Sequence, residues 1–251
     1  MHSILDLPKR PEKPRGHGMT VISDRGLGLR TLEDLLDTAG AYVDYAKLSV
    51  GTAYVTPRLK EKVLLYRRYG IECYFGGTLF EVFAVQGKFD DYCAFLSDHD
   101  VRVIEVSNGL LQISDEDRCR YVEQAVGDFV VFSEVGSKDT DNIKAPYEWV
   151  AMIRDTFAAG AEYVILEGRE SGDAGIYRGN NEARLGLLIE VVHEIDGSKL
   201  IFEAPKPTQQ AMLIREMGSN VNLGNVMAND VIHLEAQRLG LKYETLPAAL
   251  Q

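Results

Sequence analysis

Four glutamates in this sequence each close a short apolar run, and they recur at intervals of 29, 33 and 36 residues. An aspartate closes a further run. Carboxylates gathered in one place repel one another unless a cation or basic side chains lie among them. Oxygen ligands select hard cations, and no histidine or cysteine spacing suits zinc. The sequence therefore predicts a Mg²⁺ site, and its candidate ligands are Asp24, Glu105, Glu134, Glu167 and Glu203.

Basic residues follow or end several of the same runs. They are Arg25, Lys47, Lys138, Arg169 and Lys206. A pocket that mixes such cations with carboxylates suits a small polyanion bridged by a metal. Backbone N–H groups at helix N-termini also bind phosphate, and glycine-containing turns allow the close approach that this requires. The candidate turns are Ser49-Val-Gly51-Thr52, Gly76-Gly77-Thr78 and Gly224-Asn225.

The elements that must position these residues follow from hydrophobic periodicity. Short β-branched runs alternate with longer segments of helical period, which is typical of a parallel sheet wrapped by helices. The predicted strands are Met19–Asp24, Tyr42–Ser49, Ile71–Gly76, Val101–Ser107, Phe129–Val135, Tyr163–Gly168, Leu200–Pro205 and Val221–Val226. The predicted helices are Thr31–Ala39, Pro57–Tyr69, Leu79–His99 with a break near Gly87, Ser114–Val126, Pro146–Ala159, Asn181–Ile195, Thr208–Met217 and Ala228–Leu239.

Eight such units predict an α/β fold, a single (β/α)₈ TIM barrel, whose active site lies at the carboxyl ends of the strands. The length of 251 residues is typical of one such domain. We expect the barrel to span residues 18–251, after a proline-rich and basic tail over residues 1–17. Thr31 with Asp34, and Ser114 with Asp117, predict N-terminal helix caps.

Composition narrows the classes of partner. The net charge of −11 disfavours binding to nucleic acid or to an anionic membrane surface. No apolar stretch reaches the roughly 18 residues that a membrane span requires. Three cysteines without paired spacing predict reduced thiols, and hence a cytoplasmic protein.

Several motifs together resemble the phosphosulfolactate synthase family, over nearly the whole chain from about Gly18 to Thr245. The motifs are Glu134-Val-Gly-Ser-Lys138, Glu167-Gly-Arg-Glu-Ser171, Phe202-Glu-Ala-Pro-Lys206 with Gln209-Gln210, Asn220-Val-Asn-Leu-Gly-Asn225, Phe75-Gly-Gly-Thr-Leu-Phe-Glu81 and Glu105-Val-Ser-Asn-Gly109. The resemblance implies a lyase-type, Mg²⁺-dependent addition of sulfite to phosphoenolpyruvate, which gives (2R)-2-phospho-3-sulfolactate on the way to coenzyme M. It also implies a barrel enzyme that assembles as a homo-oligomer.

The resemblance also implies roles for individual residues. Lys138 is expected to be the general acid, with Glu134 and Lys47 as further catalytic residues. The expected substrate-binding residues are Arg25, Gly76, Gly77, Thr78, Arg169, Lys206, Gln209, Asn222 and Asn225. The segment Lys47-Leu-Ser-Val-Gly-Thr52 keeps the lysine of the family pattern. It departs from that pattern at Val50, which replaces an aromatic residue.

Two other functions remain open from the sequence. An aldolase of the same fold would use Lys47 or Lys138 as a Schiff-base nucleophile on a small phosphorylated or carboxylated substrate. A barrel that has lost catalysis would serve as a stress-related binding protein, since fold alone does not determine function. Retention of the charged residues at the strand ends favours an enzyme.

Overall fold

The computed structural model describes residues 4–111, 113–136 and 144–246. Within them, eight strands alternate with helices. The strands are β1 (Thr20–Asp24), β2 (Tyr45–Leu48), β3 (Glu72–Phe75), β4 (Val103–Val106), β5 (Val130–Val135), β6 (Tyr163–Leu166), β7 (Leu200–Glu203) and β8 (Leu223–Met227). The helices are α1 (Leu29–Ala39), α2 (Thr52–Val55), α3 (Leu59–Arg68), α4 (Gly77–Val85), α5 (Phe89–Asp98), α6 (Asp115–Ala125), α7 (Pro146–Ala158), α8 (Leu185–Glu194), α9 (Pro207–Met217) and α10 (Val231–Arg238).

The strands form one parallel sheet in the order β3-β2-β1-β8-β7-β6-β5-β4. The two end strands, β3 and β4, lie in contact and so bring the ring almost to closure. The predicted single (β/α)₈ barrel is therefore confirmed, and every strand delivers its carboxyl end to the same rim.

The interior of the barrel is filled by side chains at alternate strand positions. A central Phe132 ring lies 5.0 Å from the ring of Tyr45, 5.4 Å from that of Tyr74 and 5.2 Å from that of Tyr163, measured between centroids. Val103, Ile165 and Ile201 belong to the same cluster of buried residues. Because side chains alternate along a strand, the residue two places further on also points inward and forms the next layer toward the rim.

Helix boundaries agree with the sequence patterns in some places and differ in others. The predicted break near Gly87 is confirmed, because Gly87 has φ +67° and separates α4 from α5. Ser114 caps α6 as predicted, since its Oγ accepts the Asp117 N–H at 3.0 Å. The cap predicted at Thr31 was wrong, because α1 already begins at Leu29.

The helix predicted from Asn181 begins only at Leu185. Residues 167–184 instead form a long irregular connection, the β6 loop, which folds back on β6. The Ile176 N–H donates to Glu167 O at 2.9 Å, and the Tyr177 hydroxyl donates to Glu203 O at 2.8 Å. The loop thus packs over the carboxyl ends of β6 and β7.

The basic segment before β1 crosses the opposite, amino-terminal face of the barrel. Arg10 Nε lies 3.1 Å from Glu235 Oε1, and Arg15 Nη1 lies 3.0 Å from Asp44 Oδ1. The Tyr163 hydroxyl donates to a tail carbonyl, that of Gly16, at 3.1 Å. Among the described residues, no helix has the length and apolar character needed to cross a bilayer.

Candidate active site

A cavity of about 300 Å³ opens at the carboxyl ends of the strands. Its volume is at the lower end of the range for small-molecule sites, so it suits a small substrate. The described residues that line it are Lys47, Ser49, Val50, Gly76, Gly77, Thr78, Glu105, Leu110, Glu134, Glu167, Arg169, Glu170, Ser171, Glu203 and Asn225.

Lys47 is the central cation of this cavity. Its Nζ lies 3.0 Å from Glu105 Oε1, 3.2 Å from Glu134 Oε2 and 3.2 Å from Glu203 Oε1. Burial disfavours the ammonium, but the three carboxylates outweigh it and raise the pKa of Lys47 well above its usual value. Lys47 therefore carries a fixed positive charge at neutral pH.

Glu105 is fully buried at the bottom of the cavity. The Gly77 N–H donates to its Oε1 at 2.5 Å, at the first turn of α4. Burial raises the pKa of Glu105 to about 7 against the opposing charge of Lys47, and repulsion from Glu134 and Glu203 adds to the rise. Glu105 is thus a weaker acid than an exposed glutamate.

Glu134, Glu167 and Glu203 each offer a carboxylate oxygen, and these oxygens lie within 4.8 Å of one another. The Arg169 N–H donates to Glu167 Oε1 at 2.5 Å, and the Gly168 N–H donates to Glu203 Oε2 at 3.0 Å. Backbone donors therefore orient two of the three side chains. A buried donor set made only of carboxylates fits a hard divalent cation such as Mg²⁺.

Alternation along the strands explains why these residues meet. The four glutamates and Lys47 each lie two positions beyond a residue of the interior aromatic and aliphatic layer, so they form the layer above it. On β3 the equivalent position is Gly76, where a Cβ atom would lie 3.1 Å from Lys47 Cε. The missing side chain at Gly76 therefore leaves room for the lysine.

Asn225 enters the cavity through an irregularity in β8. The register between β1 and β8 shifts between Thr20 and Ile22, and Asn225 has φ +56°. A bulge of this kind redirects a side chain. The Asn225 side chain is buried, and its Oδ1 accepts no hydrogen bond from the described residues. This oxygen is thus available to a hydrogen-bond donor or a cation in the cavity.

Arg169 provides a second cation at the mouth of the cavity. Its side chain is 45% exposed, and its Nη1 lies 3.7 Å from Asp173 Oδ1, too far for a strong pair. Arg25 lies outside the cavity, where its Nε is 3.3 Å from Glu170 Oε1. The structure therefore brings Arg169, but not Arg25, to the cavity among the predicted substrate-binding cations.

Asp24 also lies outside the cavity, which corrects its prediction as a metal ligand. Alternation along β1 turns Ser23 inward and Asp24 outward toward α3. Asp24 Oδ2 lies 2.7 Å from Lys62 Nζ and accepts the Tyr66 hydroxyl at 2.9 Å, while Oδ1 accepts two backbone N–H groups at 2.8 Å each. Its carboxylate holds α3 against β1.

Asn222 is at the wrong end of the barrel for the predicted substrate contact. It precedes β8, its Oδ1 accepts the Met19 N–H at 3.0 Å, and its Nδ2 donates to Leu200 O at 2.9 Å. Lys206 and Gln209 also lie outside the cavity lining and contact the far side of the β6 loop. The predicted general acid, Lys138, lies outside the described residues.

Sequence reasoning missed a buried glutamate that shapes the rim. Glu81 accepts the Ser107 hydroxyl at 2.6 Å and the N–H groups of Gly109, Leu110 and Leu111 at 2.8 to 3.0 Å. It thereby fixes the loop after β4, which brings Leu110 to the cavity. The available signal was one charged residue within an otherwise apolar helix, α4.

Comparison with known proteins identifies the family of this chain. The family model described as "(2R)-phospho-3-sulfolactate synthase (ComA)" matches residues 8–244. The phosphosulfolactate synthase of Bacillus subtilis is 37% identical over 244 residues, which cover 96% of this chain and 97% of that protein. The phosphosulfolactate synthase of Methanothermobacter thermautotrophicus is 37% identical over 245 residues, which cover 95% of each chain.

A solved structure supports the fold alone. The YdjI aldolase of Escherichia coli K12 superposes with a TM-score of 0.56 at 10% identity, covering 93% of this chain and 89% of that one. The family match extends over all of the strand-end motifs and the intervening helices, so the resemblance seen in the motifs is confirmed. The chain therefore belongs to the phosphosulfolactate synthase family.

Proposed function

We propose that this protein catalyses the Mg²⁺-dependent addition of sulfite to phosphoenolpyruvate, giving (2R)-2-phospho-3-sulfolactate. The observation that carries the proposal is the cavity in which Glu134, Glu167 and Glu203 gather beside Lys47, in a chain that belongs to this family. A cluster of carboxylates with an embedded cation suits anionic substrates held together with a metal.

The proposed metal ligands are Glu134, Glu167 and Glu203. Their donor set is made of oxygen atoms, and Mg²⁺ commonly keeps water or substrate oxygens in its remaining positions. When bound, Mg²⁺ would supply electrostatic stabilisation for negative charge that develops on the substrate carboxylate. Glu105 accepts a backbone N–H and contacts Lys47, so we assign it to holding the lysine.

The reaction forms one C–S bond and one C–H bond. The sulfur lone pair of sulfite attacks C3 of phosphoenolpyruvate, and the C2=C3 π pair moves to C2 and into the adjoining carboxylate. A proton delivered to C2 then completes the product, and no bond to phosphate breaks. We propose Lys138 as the proton donor, in agreement with the expectation from the family motif.

Residues of the cavity would hold the anionic groups. Arg169 offers a weakly paired guanidinium at the mouth, and the Asn225 side chain lines the same cavity. Thr78 lies in the first turn of α4 and lines the cavity. The partial positive charge of that helix end favours an anion there.

The aldolase alternative is less compatible with this geometry. A Schiff base requires an unprotonated amine, whereas the carboxylates around Lys47 raise its pKa well above the usual value. Borohydride reduction in the presence of a small carbonyl substrate tests this directly. A covalent adduct on Lys47 would favour the aldolase.

The proposal is tested by incubating the purified protein with phosphoenolpyruvate, sulfite and Mg²⁺ and following ³¹P NMR. We expect a new phosphorus signal only in the complete mixture, its loss with EDTA and its return with excess Mg²⁺. Glu134→Gln should abolish turnover, whereas Lys62→Arg outside the cavity should retain it. Absence of phosphosulfolactate from the complete mixture would refute the proposal.

We further propose that the protein works in the cytoplasm as a homo-oligomer, as its family membership suggests. Sedimentation of the purified protein at micromolar concentration checks the assembly state. A single species at the 27.9 kDa of one chain would contradict this part of the proposal.

A further inference from the structure

The β6 loop, residues 167–184, carries Arg169, Glu170 and Ser171 into the cavity. Its conformation at Arg169 is intrinsically unfavourable. Arg169 has φ +59°, a region that residues with a side chain rarely adopt. Surrounding contacts must therefore hold the residue in place.

Contacts on the far side of the loop come from the start of α9. Gln209 Nε2 donates to Gly172 O at 2.8 Å, and Lys206 Nζ donates to Asn181 Oδ1 at 2.6 Å. Gln209 is 4% exposed, and neither it nor Lys206 lines the cavity. We call this pair of donors, Lys206 and Gln209, the clamp.

A continuous set of hydrogen bonds connects the clamp to Arg169. The Gly172 N–H donates to Arg169 O at 3.1 Å, while the Gly172 carbonyl accepts from Gln209. The Arg169 N–H donates to Glu167 Oε1. The backbone of Arg169 is thereby held on one side by a cavity carboxylate and on the other through Gly172.

The close approach of Gln209 depends on glycine. Gly172 has φ +69°, and a Cβ atom at this position would lie 2.6 Å from the Gln209 side-chain amide. The Oε1 of the same amide accepts the Lys206 N–H at 3.3 Å in the first turn of α9. Gln209 thus uses its acceptor for its own helix and its donor for the loop.

We propose that Gln209, with Lys206, is a positioning residue that acts through Gly172 to hold Arg169 at the cavity mouth for binding of an anionic substrate group. The effect on binding rests on the proposed function, in which Arg169 contacts the substrate. The hold on the loop itself is independent of the reaction.

Gln209→Glu separates the acceptor role of Gln209 from its donor role. It keeps the side-chain volume and the acceptor for the Lys206 N–H, but it removes the donor to Gly172 O. Gln210→Met is the matched control. Gln210 is a neighbouring buried amide on α9 that donates to Ala204 O at 3.0 Å rather than to the loop. Lys206→Met provides a second, less buried test of the clamp.

Hydrogen exchange with mass spectrometry tests the hold on the loop. We expect amides of residues 168–176 to exchange about tenfold faster in Gln209→Glu than in the wild type, which is the effect of losing one hydrogen bond. Lys206→Met should accelerate exchange nearer Asn181, and Gln210→Met should change neither segment. Unchanged loop exchange in Gln209→Glu would overturn the proposal.

Kinetics test the positioning of Arg169. We expect Gln209→Glu to raise the KM for phosphoenolpyruvate about tenfold while kcat stays within about twofold. In an Arg169→Met background, Gln209→Glu should have little further effect on KM, because the two changes remove one interaction. Fully additive effects would show that Gln209 only stabilises the fold. If the wild type forms no phosphosulfolactate, the proposed function fails, whereas the exchange comparison still decides the clamp.

Discussion

Replacement of Lys47 by methionine removes the only charge that compensates three neighbouring carboxylates within the described residues. Its ammonium lies 3.0 to 3.2 Å from Glu105, Glu134 and Glu203, and the side chains of all four are at most 10% exposed. Loss of one partner from a buried ion pair typically costs about 3–5 kcal/mol. That is a large part of the roughly 5–15 kcal/mol by which a domain is stable. We expect Lys47→Met to unfold at much lower urea concentration at pH 7.5.

The loss of stability in Lys47→Met should depend on pH, and the direction of this dependence follows from the pKa of Glu105. Burial already raises the pKa of Glu105 to about 7 in the folded protein, although Lys47 opposes the rise. Without Lys47, the folded pKa must be higher still. The folded state then binds more protons than the unfolded state between pH 4.5 and the raised pKa, so the unfolding free energy falls as pH rises. Within that range, each pH unit lowers the unfolding free energy by about 1.4 kcal/mol for each additional proton that the folded state binds.

Urea unfolding followed by circular dichroism at pH 5, 6, 7 and 8 measures this dependence. The deficit of Lys47→Met should shrink to about 1–2 kcal/mol at pH 5, where Glu105 is protonated. Addition of Mg²⁺ should stabilise the variant more than the wild type, since the Lys47 ammonium no longer competes with Mg²⁺ for Glu134 and Glu203. A loss below 1 kcal/mol at pH 7.5, or an equal loss at pH 5 and pH 8, would refute the reasoning.

Lys62→Met is the control for this experiment. Lys62 is also a buried lysine paired with a carboxylate, Asp24, at 2.7 Å, but it lies outside the cavity. Lys62→Met should lose about as much unfolding free energy as Lys47→Met at pH 7.5. Its response to Mg²⁺ should equal that of the wild type, which separates a general loss of a buried ion pair from an effect on the proposed metal ligands.

Three further changes probe the surroundings of the cavity. Gly77→Ala should destabilise by about 1–3 kcal/mol in urea unfolding, because the added Cβ would lie 2.2 Å from Ser107 Oγ. Glu81→Gln should lower the unfolding free energy by about 2 kcal/mol and raise the KM, because an amide cannot accept hydrogen bonds from all the donors that the carboxylate accepts. Unchanged stability and KM would contradict the role of Glu81 in fixing the loop after β4. Arg15→Met removes the cation that contacts the buried carboxylate of Asp44 and leaves only the more distant charge of Lys13. Calorimetry should show a Tm loss that is smaller at pH 4 than at pH 7, because burial raises the pKa of Asp44.

The sequence was sufficient to predict the barrel and the strand ends that form its rim, because both depend on local periodicity. It did not distinguish which side of each strand a terminal residue faces. Asp24 and Ser23 are adjacent at the end of β1, yet only alternation from the interior residue Val21 turns Ser23 inward. Two positions before Asp24 lies Ile22, which is as apolar as the residues two positions before the four glutamates. Only the structure shows that Ile22 packs in a different core cluster from those residues.

The β6 loop could not be predicted from local sequence, since long-range contacts determine its path. The segment from Asn181 has helical periodicity, but the Tyr177–Ala183 bridge and the Lys206 contact to Asn181 hold its beginning in the loop. Gln209 and Lys206 carry side chains suited to a substrate, which is why they were predicted to bind it. Only tertiary structure places them behind the loop.

The balance of charge indicates how an acidic cavity can accept anions. Among the described lining residues, five carboxylates accompany two cations, Lys47 and Arg169. Such a cavity repels a polyanion until a divalent cation is added. Lys47 cannot replace that cation. Its single positive charge already contacts three carboxylates, those of Glu105, Glu134 and Glu203, and does not neutralise all of them. On the proposed function, the lysine keeps the three carboxylates close together, and Mg²⁺ bound to Glu134, Glu167 and Glu203 would make the acidic cavity attractive to an anionic substrate.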